Sequence, residues 1–269
     1  MNFRVIPIPI AATAVVLTLL SCRTLIAPKA ALTSSHIESS AAPGEGFVLS
    51  QSDLDSLSAK SINQCLAVIQ MPSENQAFAD SSNFGNREPR DFLGRSLLSS
   101  PKIIVIHETV LGESDTIKLF QTHHPKDEDQ VSYHMLIGRN GRLVRIVPDN
   151  KRAYGAGMSQ FMGSTLRSKK GGLGSINNIA LHVSLVSPSG YPDSDSHSGY
   201  TQSQYEALAR QVLKWQIMYG IPMYRVTTHY AVDRSHSRYD PRSFHWDKFD
   251  AVHDQLAAAC HAQQFAQPV

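Results

Sequence analysis

Apolar residues run along this chain in four rhythms, and each predicts a different element. From Val5 to Leu20 nearly every position is apolar, broken by Pro7 and Pro9, with Arg4 ahead of the run. That run is too short and too interrupted for a comfortable transmembrane helix and has the form of a secretory leader. Ile103-Ile104-Val105-Ile106 is a continuous β-branched run, the pattern of a strand buried on both faces. Asn178 to Val186 alternates, predicting a further strand. Tyr200 to Tyr219 repeats at helical spacing, with Tyr205, Leu208, Ala209, Val212 and Tyr219 on one face. Thr201 and Gln204 supply a capping box there, and Gly220 with Pro222 stops the helix.

Weaker patterns fill the intervals. Leu54, Leu57, Ile62, Cys65 and Leu66 fall at roughly helical spacing within residues 52–70. Residues 71–100 are polar and punctuated by Gly, Pro and Asn, which predicts irregular packing over the main domain. Val131 to Ile137 and Arg142 to Val147 flank Gly138-Arg139-Asn140-Gly141, whose Asn-Gly predicts a hairpin. Val226-Thr227-Thr228 reads as a short strand and Trp246 to Ala262 as a C-terminal helix. Strands interleaved with helices predict an α/β (α+β) domain, a central mixed sheet flanked by helices.

The leader changes the picture of where the chain works. It ends in Leu19-Leu20-Ser21-Cys22, which resembles a bacterial lipobox. The expectation is a signal peptide over residues 1–21 and lipidation of Cys22, holding the protein to a membrane of the cell envelope on the periplasmic side. The alternative is an ordinary leader with an incidental cysteine; either way the chain is exported. Residues 22–46, rich in Ala, Ser and Pro, read as a flexible linker, 47–100 as an N-terminal extension and 101–264 as the main domain. With Cys22 lipidated, Cys65 and Cys260 remain as an even pair in a compartment that permits disulfides. A disulfide between them is expected, two unrelated buried thiols being the other reading. A formal net charge of +2 with no basic arm gives no support to a nucleic-acid partner. No repeat of solenoid length is visible, and a monomer is expected.

Three side chains stand where a catalytic metal needs them. His107 directly follows the buried run, His229 directly follows Val226-Thr227-Thr228, and Asp240 lies in the polar loop 233–242. Two imidazoles and a carboxylate fill three tetrahedral positions on zinc and leave the fourth for water. Taken singly, a histidine at a strand end is as readily a cap or a surface residue.

The local sequences go further. Val105-Ile106-His107-Glu108-Thr109, Val131-Ser132-Tyr133-His134-Met135-Leu136-Ile137 with Arg139-Asn140-Gly141, Ala153-Tyr154-Gly155-Ala156-Gly157, Asn178 to Val183, and Thr228-His229 with Arg238-Tyr239-Asp240-Pro241 follow one another in order. Together they resemble the type-2 N-acetylmuramoyl-L-alanine amidases and their relatives the peptidoglycan recognition proteins. The resemblance implies a zinc ion (Zn2+) on His107, His229 and Asp240 in a cleft at the strand ends. It also implies cleavage of the amide between N-acetylmuramic acid and L-alanine, in peptidoglycan or in muropeptides.

Three positions depart from the family pattern. His182 matches a position where many members carry a glutamate base, Arg238 one where many carry a lysine, and Gly155 one often held by histidine. Arg238 keeps the positive charge for an oxyanion. Tyr133 matches a tyrosine used beside the zinc in phage-type members, and His182 is a second proton acceptor. Tyr154 is expected to line the glycopeptide groove. The competing reading is a non-catalytic muropeptide-binding lipoprotein of the same fold; such proteins usually lack a zinc ligand, and here all three are present.

Overall fold

The computed structural model describes residues 59–167, 172–190 and 194–265. The leader, Cys22 and the linker lie outside the described residues. No helix among the described residues is long and apolar enough to cross a membrane.

The chain runs through helix α1 (Ala59–Ile69), strands β1 (Glu74–Gln76), β2 (Phe84–Asn86) and β3 (Ile103–Glu108), helix α2 (Glu113–Gln121), and strands β4 (Met135–Ile137), β5 (Leu143–Arg145), β6 (Lys151–Ala153) and β7 (Ala180–Leu185). Helix α3 (Gln202–Tyr219), strand β8 (Val226–Thr228), the short helix α4 (His229–Val232) and helix α5 (Trp246–Phe265) complete it. Six strands form one mixed sheet in the order β1-β5-β4-β7-β3-β8, and β2 pairs with β6 in a second, two-stranded sheet. β3 runs parallel to both neighbours, β7 and β8, while β4 and β5 form the antiparallel hairpin.

Alternation of side chains across the sheet explains how the layers assemble. Ile104, Ile106, Leu181, Val183 and Leu185 point to one face and meet Leu208, Val212 and Trp215 of α3 and Phe249 of α5. Ile103, Val105 and Ala180 point to the other and meet Ala156, Ile176 and Val232. Both faces of β3 and β7 are therefore covered, which is why these strands read as nearly unbroken apolar runs. The capping box of α3 is present, and Gly220 closes the helix in the left-handed conformation at φ 60°.

Several elements differ from the sequence expectation, for physical reasons. β3 extends two residues beyond Ile106, so His107 and Glu108 are members of the ladder. Ladder pairing in β4 begins only at Met135, because Ser132 Oγ is engaged by Asn83 O at 2.5 Å and the preceding stretch leans on residues 80–86. The stretch 71–100 is more than irregular cover. β1 adds a parallel edge strand to β5, and Ala77 and Ala79 continue with backbone bonds to Arg145 and Ile146 at 2.9 and 3.0 Å. A disulfide joins Cys65 of α1 to Cys260 of α5, with Cα atoms 4.7 Å apart and a sequence separation of 195. Closing so long a loop stabilises the fold by about 5 kcal/mol in the chain-entropy account. Cys65, Ile69, Leu213, Ile217, Ala257 and Cys260 form the small core around the bond.

Candidate active site and metal centre

The site forms at the ends of β3 and β8, on the face away from α3. β3 lies between two parallel partners, so the height of His107 is fixed by hydrogen bonds on both sides. Ile106 pairs with Thr228, which brings His229, the next residue, level with His107. Thr228 caps α4 by accepting from Ala231 N, fixing the turn that carries His229.

Asp240 arrives on an irregular loop that Asp233 organises. The buried Asp233 carboxylate accepts from Ser235 N at 2.9 Å, Ser235 Oγ at 2.6 Å, Ser237 N at 2.9 Å and Arg238 N at 3.2 Å. These bonds outweigh its burial and hold the carboxyl down at about 2, so the loop's anchor is ionised. Tyr230 N donates to Asp240 O at 2.9 Å, tying the loop back to α4.

The donor atoms of His107, His229 and Asp240 all lie within 4.8 Å of one another. His229 Nδ1 is 2.9 Å from Asp240 Oδ1, and His107 Nδ1 is 3.3 Å from Asp240 Oδ2. Donors around a tetrahedral zinc at 2.0–2.1 Å stand roughly 3.3 Å apart. His107 Nδ1 is buried, and its 3.3 Å approach to Asp240 Oδ2 lacks hydrogen-bond geometry, a cost that a native fold accepts only where something else takes the lone pair. Burial, and then the nearby His229, push the His107 imidazole down to about 4, so the ring is neutral at pH 7. Burial alone would raise Asp240, but the two histidines override it and hold the carboxyl well below its usual range. Two imidazoles and a carboxylate converging on one point fit zinc.

Residues 98–243, more than half of the chain, match the family model described as N-acetylmuramoyl-L-alanine amidase. The chain belongs to that family. All three converging side chains lie inside the matched span, whereas Cys65, Arg87 and Cys260 lie outside it.

Among solved structures, the chain is similar to a selenomethionine derivative of the amidase AmpD, at 22% identity over 68% of this chain and 96% of that one, TM-score 0.49. It is also similar to AmiD from E. coli in complex with anhydro-N-acetylmuramic acid-L-Ala-D-γ-Glu-L-Lys, at 21% identity over 59% of this chain and 56% of that one, TM-score 0.45. A third is AmpDh3 from Pseudomonas aeruginosa in complex with an anhydromuramic pentapeptide, at 18% identity over 64% and 62% of the two chains, TM-score 0.46. No curated protein matches the chain in a sequence search.

The remaining residues singled out in this amidase sequence take varied places. The half-buried Tyr133 ring stacks on His107 at 4.4 Å between centroids and meets Phe120 edge-on at 5.3 Å. Burial, and then the Asp240 carboxylate, raise its phenol well above the ordinary tyrosine range, so it is a proton-bearing hydroxyl beside the centre. Arg238 is exposed, two residues before Asp240. Tyr154 lies against the extension: Arg152 sits 5.5 Å over its ring, and its hydroxyl fills the space beside Gly85.

His182 needs correction as a proton acceptor for water. The strand register pairs His107 with Ser184 and Val105 with His182. The position level with His107 is therefore Ser184, and His182 stands one pleat deeper. It is fully buried, with Nδ1 2.9 Å from His107 Nε2, and burial keeps it neutral, well below its ordinary pKa. Neither strand alone marks Ser184, because register between strands distant in sequence is not written in either one. Its Oγ is buried and unpartnered, and it lies level with His107.

Proposed function

We propose that this chain is a zinc-dependent N-acetylmuramoyl-L-alanine amidase acting on peptidoglycan or on muropeptides released from it. The observation that carries the reading is the orphaned, buried Nδ1 of His107 converging with His229 and Asp240. These three residues would hold the zinc. When bound, zinc polarises the scissile carbonyl and lowers the pKa of water, so that no covalent nucleophile is required.

The residues of this chain do the rest. His107 stays neutral and Asp240 brings one negative charge, so zinc held there would keep a net positive charge toward a carbonyl oxygen. Tyr133, stacked on His107, presents a phenolic hydrogen to the cleft. Its O–H gives a proton to the departing L-alanine nitrogen and takes one from the attacking water, so the phenol begins and ends neutral. Arg238 supplies positive charge to the oxyanion. The amide C–N bond breaks, the lactyl carboxylate keeps the water oxygen, and the stem peptide leaves with a free α-amine.

The muropeptide-binding reading loses ground because all three ligand positions converge. An exported, membrane-anchored location in the cell envelope belongs to the same proposal; Leu19-Leu20-Ser21-Cys22 supports it. The test is turbidity loss and amine release from purified sacculi. Activity should vanish with a chelator and return with added zinc. Zinc-independent release would overturn the mechanism.

A further inference from the structure

An imidazole binds a metal through a lone pair, so the ligand ring must carry its proton on the other nitrogen. In His107 the atom facing Asp240 and His229 is Nδ1, and it has no hydrogen-bond partner. Nε2 points inward and lies 2.9 Å from Nδ1 of His182. One proton can sit on this contact in two ways. Only one leaves His107 Nδ1 free as a ligand: His107 Nε2–H donates and His182 Nδ1 accepts.

His182 is itself clamped. Its backbone N–H donates to His134 Nδ1 at 3.0 Å, and its carbonyl accepts from His134 N at 2.9 Å. His134 Nδ1 is therefore an acceptor, and its Nε2–H donates to Lys151 O at 3.1 Å. The two rings lie nearly parallel, at 11°, with centroids 5.8 Å apart.

Space for the His182 ring comes from Gly155. A Cβ on Gly155 would stand 2.6 Å from both Cγ and Nδ1 of His182 and 3.0 Å from its Cδ2. Those atoms belong to a stiff ring whose Nδ1 meets His107 and whose backbone is bonded on both sides to His134, so they cannot swing clear. The Gly155 backbone is outside the left-handed region, so clearance alone accounts for the glycine. Two apparent departures from the family pattern thus form one device: the bulk of His182 occupies the room that a side chain at position 155 would need.

We propose that His182 is a positioning residue that sets the tautomer and ring orientation of His107 toward the metal, with Gly155 as its clearance. This rests on the zinc reading above. The readout is zinc affinity of the full chain, prepared metal-free and titrated against a chelating dye, with circular dichroism reporting the fold. His182→Asn places an amide Oδ1 where Nδ1 stood and should hold zinc nearly as tightly as the wild type. His182→Leu keeps the bulk without the acceptor and should bind zinc roughly 10–100-fold more weakly, the usual effect of losing a ligand's supporting partner.

Gly155→Ala should also weaken zinc binding, whereas Gly155→Ala added to His182→Ala should cost nothing beyond His182→Ala alone. Equal affinity in the wild type and His182→Leu overturns the proposal. So does an equal loss in His182→Asn and His182→Leu, which would mean simple packing. If His182→Leu does not fold, the glycine pair decides, and a further loss in the double variant contradicts the account. A wild type that takes up no zinc fails earlier and overturns the metal reading itself.

Discussion

Arg242 donates from Nε to the carboxylate of Glu108, and this pair ties together the two stretches that carry His107 and Asp240. Glu108 follows His107 in β3 and so points to the opposite face of the sheet; Arg242 lies two residues beyond Asp240. The carboxylate also accepts from His197 Nε2 and Tyr200 Oη, each at 2.8 Å. His197 Nδ1 accepts from Gly199 N at 3.0 Å, which leaves the ring's proton on Nε2 for Glu108. A strut on the far side of the sheet thus holds the loop that carries Asp240 against the strand that carries His107.

Removing one member of a buried ion pair leaves the other charge unpaired, at a typical cost of about 3–5 kcal/mol. Arg242→Leu should lower the unfolding free energy of the metal-free chain by about that amount in urea titrations. It should also weaken zinc binding, because Asp240 loses its support. A loss within the ordinary range of a surface substitution would show that the strut contributes little.

The buried Arg87 braces the other end of β7 from outside the family-matched span. Its guanidinium donates to Asn178 O at 2.7 Å, Asp149 O at 2.9 Å and Ala180 O at 3.1 Å. Burial pulls its pKa down to about 10 without discharging it at neutral pH. Arg87→Met leaves these carbonyls unsatisfied, at about 1–3 kcal/mol for each buried group that finds no water. A chain starting at residue 98 should lose cooperative unfolding, whereas one starting at residue 59 should keep it. Equal melting curves for the two would contradict the structural role of the extension.

Some of this was legible in the sequence and some was not. Ile103 to Ile106, the capped helix from Thr201 to Gly220 and the three ligand positions announce themselves, because each rests on local pattern or a short motif. β1 and β2 are three residues long, too short for a period of two to register, and their existence depends on β5 and β6. Arg87 looks like any surface arginine until its carbonyl cage is assembled from two separate stretches, at Asp149 and at Asn178 to Ala180. The depth of His182 is not written in β7, which gives alternation but not register; Ser184 and His182 face the same way, and only pairing with β3 separates them.

Acid should destabilise the metal-free protein. The folded His107 is depressed to about 4 from an ordinary 6.5, so the unfolded chain binds the extra proton between those values. Stability is therefore fully present above about pH 6.5 and is lost as pH falls toward 4, by about 3 kcal/mol from this fully buried ring. His134 and His182, both depressed by burial, act in the same direction. The urea midpoint should drop from pH 7 to pH 4.5; a flat profile would mean that these rings already bear protons in the fold.

Tyr133 and Arg238 should separate chemistry from metal binding. Tyr133→Phe keeps the ring stacked on His107 and should lower turnover with zinc retained. Arg238→Ala removes an oxyanion partner, an effect of roughly 10²–10³ in turnover. Full activity in both variants, measured at saturating muropeptide, would remove these residues from the mechanism.

The most direct test of the zinc-amidase reading is mass spectrometry of the products from sacculi digested by the zinc-loaded wild type, beside Asp240→Ala. The account predicts stem peptides beginning at L-alanine with a free amine, glycan strands ending in intact lactyl groups, and neither product from Asp240→Ala. A wild type that binds zinc and muropeptide yet releases no stem peptide would contradict it.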